Sequence, residues 1–314
     1  MPFDDPAPPA SAAPSEHADW LELKALSSRD RNSSISDLAR TIKRAGTMDA
    51  MVEDDDVVGV DQGGEGATAV TTAAFDELET RDQACGAVSG YAFDVGASAI
   101  EAKKGAEKSI YVFLLLLAKY GHLAAKNVAR ADSLFEEVSA AAVRGYMGGS
   151  AAGVKAVAFG PTRRKKGKGF RSAVDHLCSR LGEGGGVSQE PAARDQKDAK
   201  LDVVAWTPFP DNRRGKLVLF GQCATGKNWP GKVTELQPLS FCQLWMREAL
   251  HITPGKLFFV PFTIPDYGWT VATSRAGIVF DRCRIAAHAT DVPAPIMKKC
   301  RQWTQTVLAR HVLP

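Results

Sequence analysis

The chain has 314 residues, with 39 basic and 36 acidic side chains leaving a formal charge of +3, and 45% hydrophobic against 24% charged residues. These values exclude a wholly disordered chain, a fibrous protein and a disulfide-stapled miniprotein, and a length of this order suggests two domains or one elaborated domain. The longest apolar run, Tyr111-Val-Phe-Leu-Leu-Leu-Leu-Ala118, is far short of the ~20 residues a membrane span needs, so it reads as a buried core helix.

Residues 1–19 hold five prolines and five alanines, a composition that predicts a disordered tail without the apolar segment of a signal peptide. An ordered segment opens at Trp20–Leu26, and Ser36 caps a helix through Ile42. Residues 46–70 carry Glu53-Asp-Asp-Asp56 and then Gly59–Gly66, which read as a flexible acidic and glycine-rich loop. Helices are expected over 73–84 and 106–127. Residues 20–128 thus form a mostly helical N-terminal module with no visible chemistry.

From residue 129 the texture changes. Asp132–Tyr146 reads as a helix with Asp132 or Ser133 as its N-cap, and Arg163, Arg164, Lys165, Lys166 and Lys168 form a basic loop before a helix over Phe170–Leu181. Glu183 reads as a polar-loop residue. Strands over 201–206 and 216–223 form an antiparallel hairpin, followed by a helix over 232–250, strands at 256–262 and 277–284, and a helix over 294–312. The order of elements predicts an α/β (α+β) core with a mixed β-sheet flanked by helices. The six cysteines form no C-x-x-C pair and no cluster with histidine, which fits free thiols in a cytoplasmic protein.

The segment Phe220-Gly-Gln-Cys-Ala-Thr-Gly-Lys-Asn-Trp229 admits three chemical readings. Gly221-x-x-x-x-Gly226-Lys227 matches a phosphate-binding loop, with Ile278–Asp281 as a candidate partner strand. Asn228 stands where Ser or Thr should hold magnesium, however, and Pro230 interrupts the expected helix. Gln222-Cys223 suggests a thiol nucleophile, yet adjacent strand residues face opposite sides. In the third reading Asp202 lies early in one strand and Gln222 late in the next, so that a carboxylate and an amide oxygen meet at one sheet edge, a donor set for a hard divalent cation.

That third arrangement, with Glu136 on an upstream helix, resembles the PD-(D/E)XK, or restriction-endonuclease-like, nuclease superfamily over residues 130–262. There an Asp opens one strand, an acidic residue or Gln sits on the next, and a Lys follows two residues later. Here that position is Ala224, so the resemblance implies a displaced lysine, Lys227 or Lys232. It further implies a nuclease domain over 129–314 in which Glu136, Asp202 and Gln222 hold Mg²⁺ or Mn²⁺, with DNA as substrate. Lys227 or Lys232 would orient water or stabilise the transition state, and the basic loop would neutralise phosphates. The absence of a base-reading motif points to a regulatory or targeting protein partner, as in a prokaryotic defence or DNA-processing system. The alternatives are a catalytically inactive DNA-binding scaffold of the same fold and a nucleotide-binding protein acting through Gly221–Lys227.

Overall fold

The computed structural model describes residues 7–50, 63–86, 90–159, 169–189 and 200–312; the basic segment 163–168 lies outside them. The fold is α/β, with helices flanking a mixed sheet. The chain divides into two compact units, residues 1–113 with 304–314 and residues 114–303. The division therefore falls inside the apolar run rather than at 128/129, and the chain's last residues belong with the first unit. Among the described residues no helix is long and apolar enough to cross a membrane.

In the first unit, helix α1 (Pro14–Ser27) begins six residues before Trp20, where the ordered segment was expected to open. The proline that looked like a sign of disorder occupies the start of the helix, where its missing N–H costs nothing. Strand β1 (Asn32–Ser34), helix α2 (Ile35–Ala50) and helix α3 (Gly63–Cys85) follow, so helix extends into both ends of the stretch read as a loop over 46–70. Strands β2 (Phe93–Val95) and β3 (Ala99–Ala102) complete a three-stranded antiparallel sheet, order β1-β3-β2, that the sequence reading missed. Strands of three or four residues are too short for alternation to stand out.

A buried ionic network ties α1 to α3. Arg81, 1% exposed, donates to Glu77, Asp19, Glu22 and the carbonyl of Ser15. Glu22, wholly buried, also accepts from the hydroxyls of Tyr91 and Tyr111, each at 2.7 Å. Burial and the Glu22 charge push the Tyr91 hydroxyl well above its usual pKa, so this phenol stays a neutral donor. Arg81→Met should cost about 3–5 kcal/mol in urea unfolding, because it strands the Glu22 carboxylate in the core; a change under 1 kcal/mol would show the network to be dispensable.

The second unit is built on five strands: β4 (Lys155–Ala158), β5 (Val203–Trp206), β6 (Val218–Cys223), β7 (Gly255–Phe259) and β8 (Ile278–Phe280), in that spatial order. β5 is antiparallel to both β4 and β6, whereas β6, β7 and β8 run parallel. Helix α4 (Ile110–Tyr120) holds the apolar run, and residues 121–127 after it are turn rather than helix. Helix α5 (Ala131–Tyr146) packs across β4, β5 and β6. Its N-cap is Arg130, not Asp132 or Ser133; Asp132 lies in the first turn and takes the Arg130 guanidinium.

The opposite sheet face is covered by helix α6 (Phe170–Leu181) and helix α7 (Pro238–Trp245), whose Val174, Leu177, Phe241 and Trp245 pack with Val204, Trp206, Val218 and Phe220. α7 occupies only part of the helix expected over 232–250, because Pro238 opens it and Lys232 belongs to a short 3-10 turn, Trp229–Lys232. Helix α8 (Asp266–Ala276) packs on β7 and β8. Helix α9 (Arg282–His288) replaces the end of the strand expected at 277–284, and helix α10 (Ala294–His311) closes the described chain.

Glu183, read as a loop residue, is buried and bridges three segments. It accepts from Lys216 Nζ at 2.7 Å, from the Gly215 amide and from the His251 amide, while Lys216 also donates to the Leu181 carbonyl. Burial alone would raise the Glu183 pKa, but Lys216 and the amides outweigh it and hold the carboxyl low. A depressed folded-state pKa contributes stability above the ordinary Glu value and loses it as pH falls through the folded one. The stability advantage over Glu183→Gln in urea melts should therefore be full at neutral pH and shrink as pH drops below about 4; a pH-independent difference would contradict it.

Candidate functional site

The end of β6 and the start of β5 meet where α5 crosses them, and the register there sets what each side chain can do. Val203 pairs with Gly221, and Val204 with Phe220. Alternation along β6 then divides its residues. Phe220 packs into the cluster under α6 and α7, so Gln222 shares that face. Leu219, Gly221 and Cys223 face the side of α5. Gly221 is tightly enclosed there, since an added Cβ would come within 2.7 Å of the Phe259 ring and 3.3 Å of Val203 and Leu257. Its glycine serves strand packing, not a phosphate cradle.

Asp202 precedes β5 and is bonded on every strand around it. Its amide donates to the Gly221 carbonyl at 2.9 Å, its carbonyl accepts from Phe159 beyond β4 at 2.6 Å, and its Oδ2 accepts from the Cys223 amide at 2.8 Å. The carboxylate supplies an acceptor just where the β5–β6 ladder ends. It remains partly exposed, so a polar residue in a β environment is explained by the edge it holds.

Glu136, 8% exposed on α5, reaches the same place. The Cys223 thiol registers both acids: burial first, then the Asp202 and Glu136 charges, push it well above its usual pKa, while a hydrogen bond with Ser139 opposes them. Such a thiol stays protonated, which corrects the nucleophile reading, because the thiolate is the reactive form. Native-state alkylation of Cys223 near pH 8, followed by peptide mapping, should be at least about tenfold slower than in the urea-unfolded chain. Equal rates would refute the electrostatic picture.

Gln222, 3% exposed, turns to a different acid: its Nε2 donates to Glu235 Oε2 at 2.7 Å. The expected trio is thus brought to one strand end but on two sides of it, Glu136 and Asp202 beside Cys223 and Gln222 beside Glu235. Ala224 is buried against Val233 and Phe258 and its amide pairs with Phe259, so no lysine stands two residues after Gln222. Lys227 is exposed in the turn after β6, and Lys232 is half-buried in the 3-10 turn rather than in the first turn of a helix.

Among the described residues no group of three His, Cys, Asp or Glu side chains is placed to hold a metal ion. Gln222 Oε1, however, is buried and accepts no hydrogen bond among the described residues. Mg²⁺ is commonly held by one or two carboxylates and keeps several waters, a demand that Asp202 and Glu136 fit in kind, whereas the Gln222 oxygen lies on the other side of the strand. The phosphate-loop reading does not fit. No helix starts at Gly226-Lys227, and the next one opens at Pro238. Asp281 is the N-cap of α9, accepting from the Arg284 amide at 2.9 Å, rather than a magnesium ligand at a strand end.

Ser139 and Glu235 were missed in the sequence. Ser139 was findable, three residues after Glu136 and so on the same helix face. Glu235 was hidden because the segment containing it reads as the middle of a helix. No protein-family model, curated protein or solved structure matches the chain.

Proposed function

We propose that the second unit is a divergent restriction-endonuclease-like domain that hydrolyses phosphodiester bonds of DNA with Mg²⁺ or Mn²⁺. The observation that carries the reading is the Asp202 carboxylate at the opening of β5, bonded to the residue that follows Gln222, with Glu136 brought to the same strand end by α5. Support also comes from the element order α5, β4, α6, β5, β6, α7, β7, with β6 antiparallel to β5 and parallel to β7. The five cations at 163–168 add a phosphate-binding charge between β4 and α6.

In this reading Asp202, with Glu136 directly or through water, would hold the cation, whereas Gln222, expected as a further ligand, turns to Glu235 on the other side of the strand. The bound ion supplies Lewis-acid polarisation of the phosphate and a more acidic water. The Asp202 Oδ2–Cys223 bond fixes the carboxylate so that it need not reorganise. Lys227, exposed and three residues past Ala224, stabilises charge on the phosphate oxygens, with Lys232 as the second candidate. The scaffold alternative keeps one specific support, the buried Ala224 where the superfamily pattern has its lysine.

Asp202→Asn separates structure from chemistry, because an amide oxygen still accepts from the Cys223 amide but carries no charge. It should retain stability within about 1 kcal/mol and lose more than about 100-fold of metal-dependent cleavage of linear, circular and single-stranded DNA. Asp202→Ala should in addition lose about 1–3 kcal/mol, leaving the amide unsatisfied. Cleavage that survives Asp202→Asn would sink the assignment. DNA binding with a steep salt slope, indifferent to EDTA and without cutting, would establish the scaffold instead.

A further inference from the structure

The segment that leads into α5 carries cations and no acid. From Ser109 to Ala131 the sequence holds Lys119, His122, Lys126 and Arg130 and no Asp or Glu. Its backbone is a set of anchored turns. Gly121, at φ +75°, ends α4 with its amide on the Leu117 carbonyl. The amides of Ala124, Lys126 and Val128 donate to the carbonyls of Gly121, Leu123 and Ala125, and Ala125 is wholly buried. These turns leave His122, Lys126 and Arg130 exposed.

Exposed cations elsewhere are matched by acids, as Arg31 is by Glu107, Lys103 by Asp94 and Arg214 by Glu248. Lys126 has no ion-pair partner among the described residues. Arg130 pairs with Asp132 at 2.6 Å, yet its side chain stays 61% exposed. The hydrogen bond and charge of Asp132 raise the Arg130 pKa, and Glu136 adds to them, so the guanidinium lies within electrostatic reach of the acid that α5 brings to the strand end. Two carboxylates at a sheet rim repel a polyanion, and DNA drawn to Asp202 and Glu136 needs cations beside them.

We infer that Lys126 and Arg130 bind the phosphate backbone of DNA and hold it beside the strand end where Asp202 and Glu136 lie. The inference rests on DNA as the partner in the reading above and deepens it by assigning the surface that binds it. It needs no metal, because neutralising the backbone is a charge effect alone. Leu123, 62% exposed in the same turns, would also suit an anionic membrane surface; the closeness of Arg130 to Glu136 favours DNA.

The test is fluorescence anisotropy of a short labelled DNA duplex with the full-length chain in EDTA, over a salt series, with thermal melts as a check on folding. The slope of log affinity against log salt should shrink by about 1 in Lys126→Gln and in Arg130→Gln, and by about 2 in the double variant. Lys126→Arg and Arg130→Lys keep the charge and should keep the wild-type slope. Arg213→Gln is the control, since Arg213 is 85% exposed in the β5–β6 turn, at the opposite end of those strands from Asp202, and its loss should leave the slope unchanged. Wild-type slopes in both glutamine variants, or no duplex binding by wild type, would overturn the inference. An equal drop in Arg213→Gln would overturn it too, by showing a diffuse charge effect. Binding to phosphatidylcholine–phosphatidylserine vesicles that Leu123→Ser abolishes, with the duplex slope untouched by the glutamine variants, would assign the segment to a membrane instead. None of these readouts involves cleavage, so the Asp202→Asn assay decides the nuclease reading separately.

Discussion

The second unit depends on the change of pairing sense at β6. This strand is antiparallel to β5 and parallel to β7, so its carboxyl end lies beside the start of one neighbour and the end of the other. The β5 side of that junction lacks a regular ladder partner for the Cys223 amide, and Asp202 closes it with a side chain instead of a carbonyl. A carboxylate recruited to finish a ladder is held rigidly yet stays at the rim of the sheet. The same constraint that terminates the sheet thus delivers a fixed, partly exposed negative charge at a defined spot.

The two faces of β6 then receive different chemistry. The α5 side collects Asp202, Glu136 and a thiol that both acids hold protonated. The α7 side holds an uncharged amide bonded to a single outlying acid. Concentrating negative charge on one side of a buried strand is costly, and the neutral amide limits that cost. Under the proposed reading a bound cation offsets what remains, and the total charge at the strand end stays low enough for the apoprotein to fold. The ionic networks elsewhere follow the same rule: Arg81 offsets Glu22 in the first unit, and Lys216 offsets Glu183 in the second.

Much of this was legible in the sequence wherever local signals agreed. The helices over 131–146 and 170–181 and the hairpin of β5 and β6 follow from apolar spacing, glycine stops and a polar turn. The polar residues in those strands, Asp202 and Gln222, could be singled out because strands reject such residues without cause. What escaped was set by contacts distant in sequence. The three-stranded sheet pairs residue 32 with residue 101, and no local pattern encodes that. Glu183 looks like any loop acid until Lys216 and the amide of His251 are folded onto it. The segment 232–250 carries enough apolar residues for one helix, but Pro238 and the burial of Val233 and Leu236 divide it into a turn and a short helix. That division is what brings Glu235 to Gln222.

A glutamine in place of an acidic ligand is usually read as a step toward lost activity, because it weakens the attraction for a cation. The electrostatics of this strand end argue the other way. Asp202 and Glu136 already supply two carboxylates to one thiol's surroundings, and a third on the adjoining residue would raise their mutual repulsion before any cation arrives. An amide avoids that cost, and its NH₂ is taken by Glu235. Gln222 therefore adds no charge to this strand end, and the acid that takes its NH₂ lies on the other side of β6 from Asp202 and Glu136.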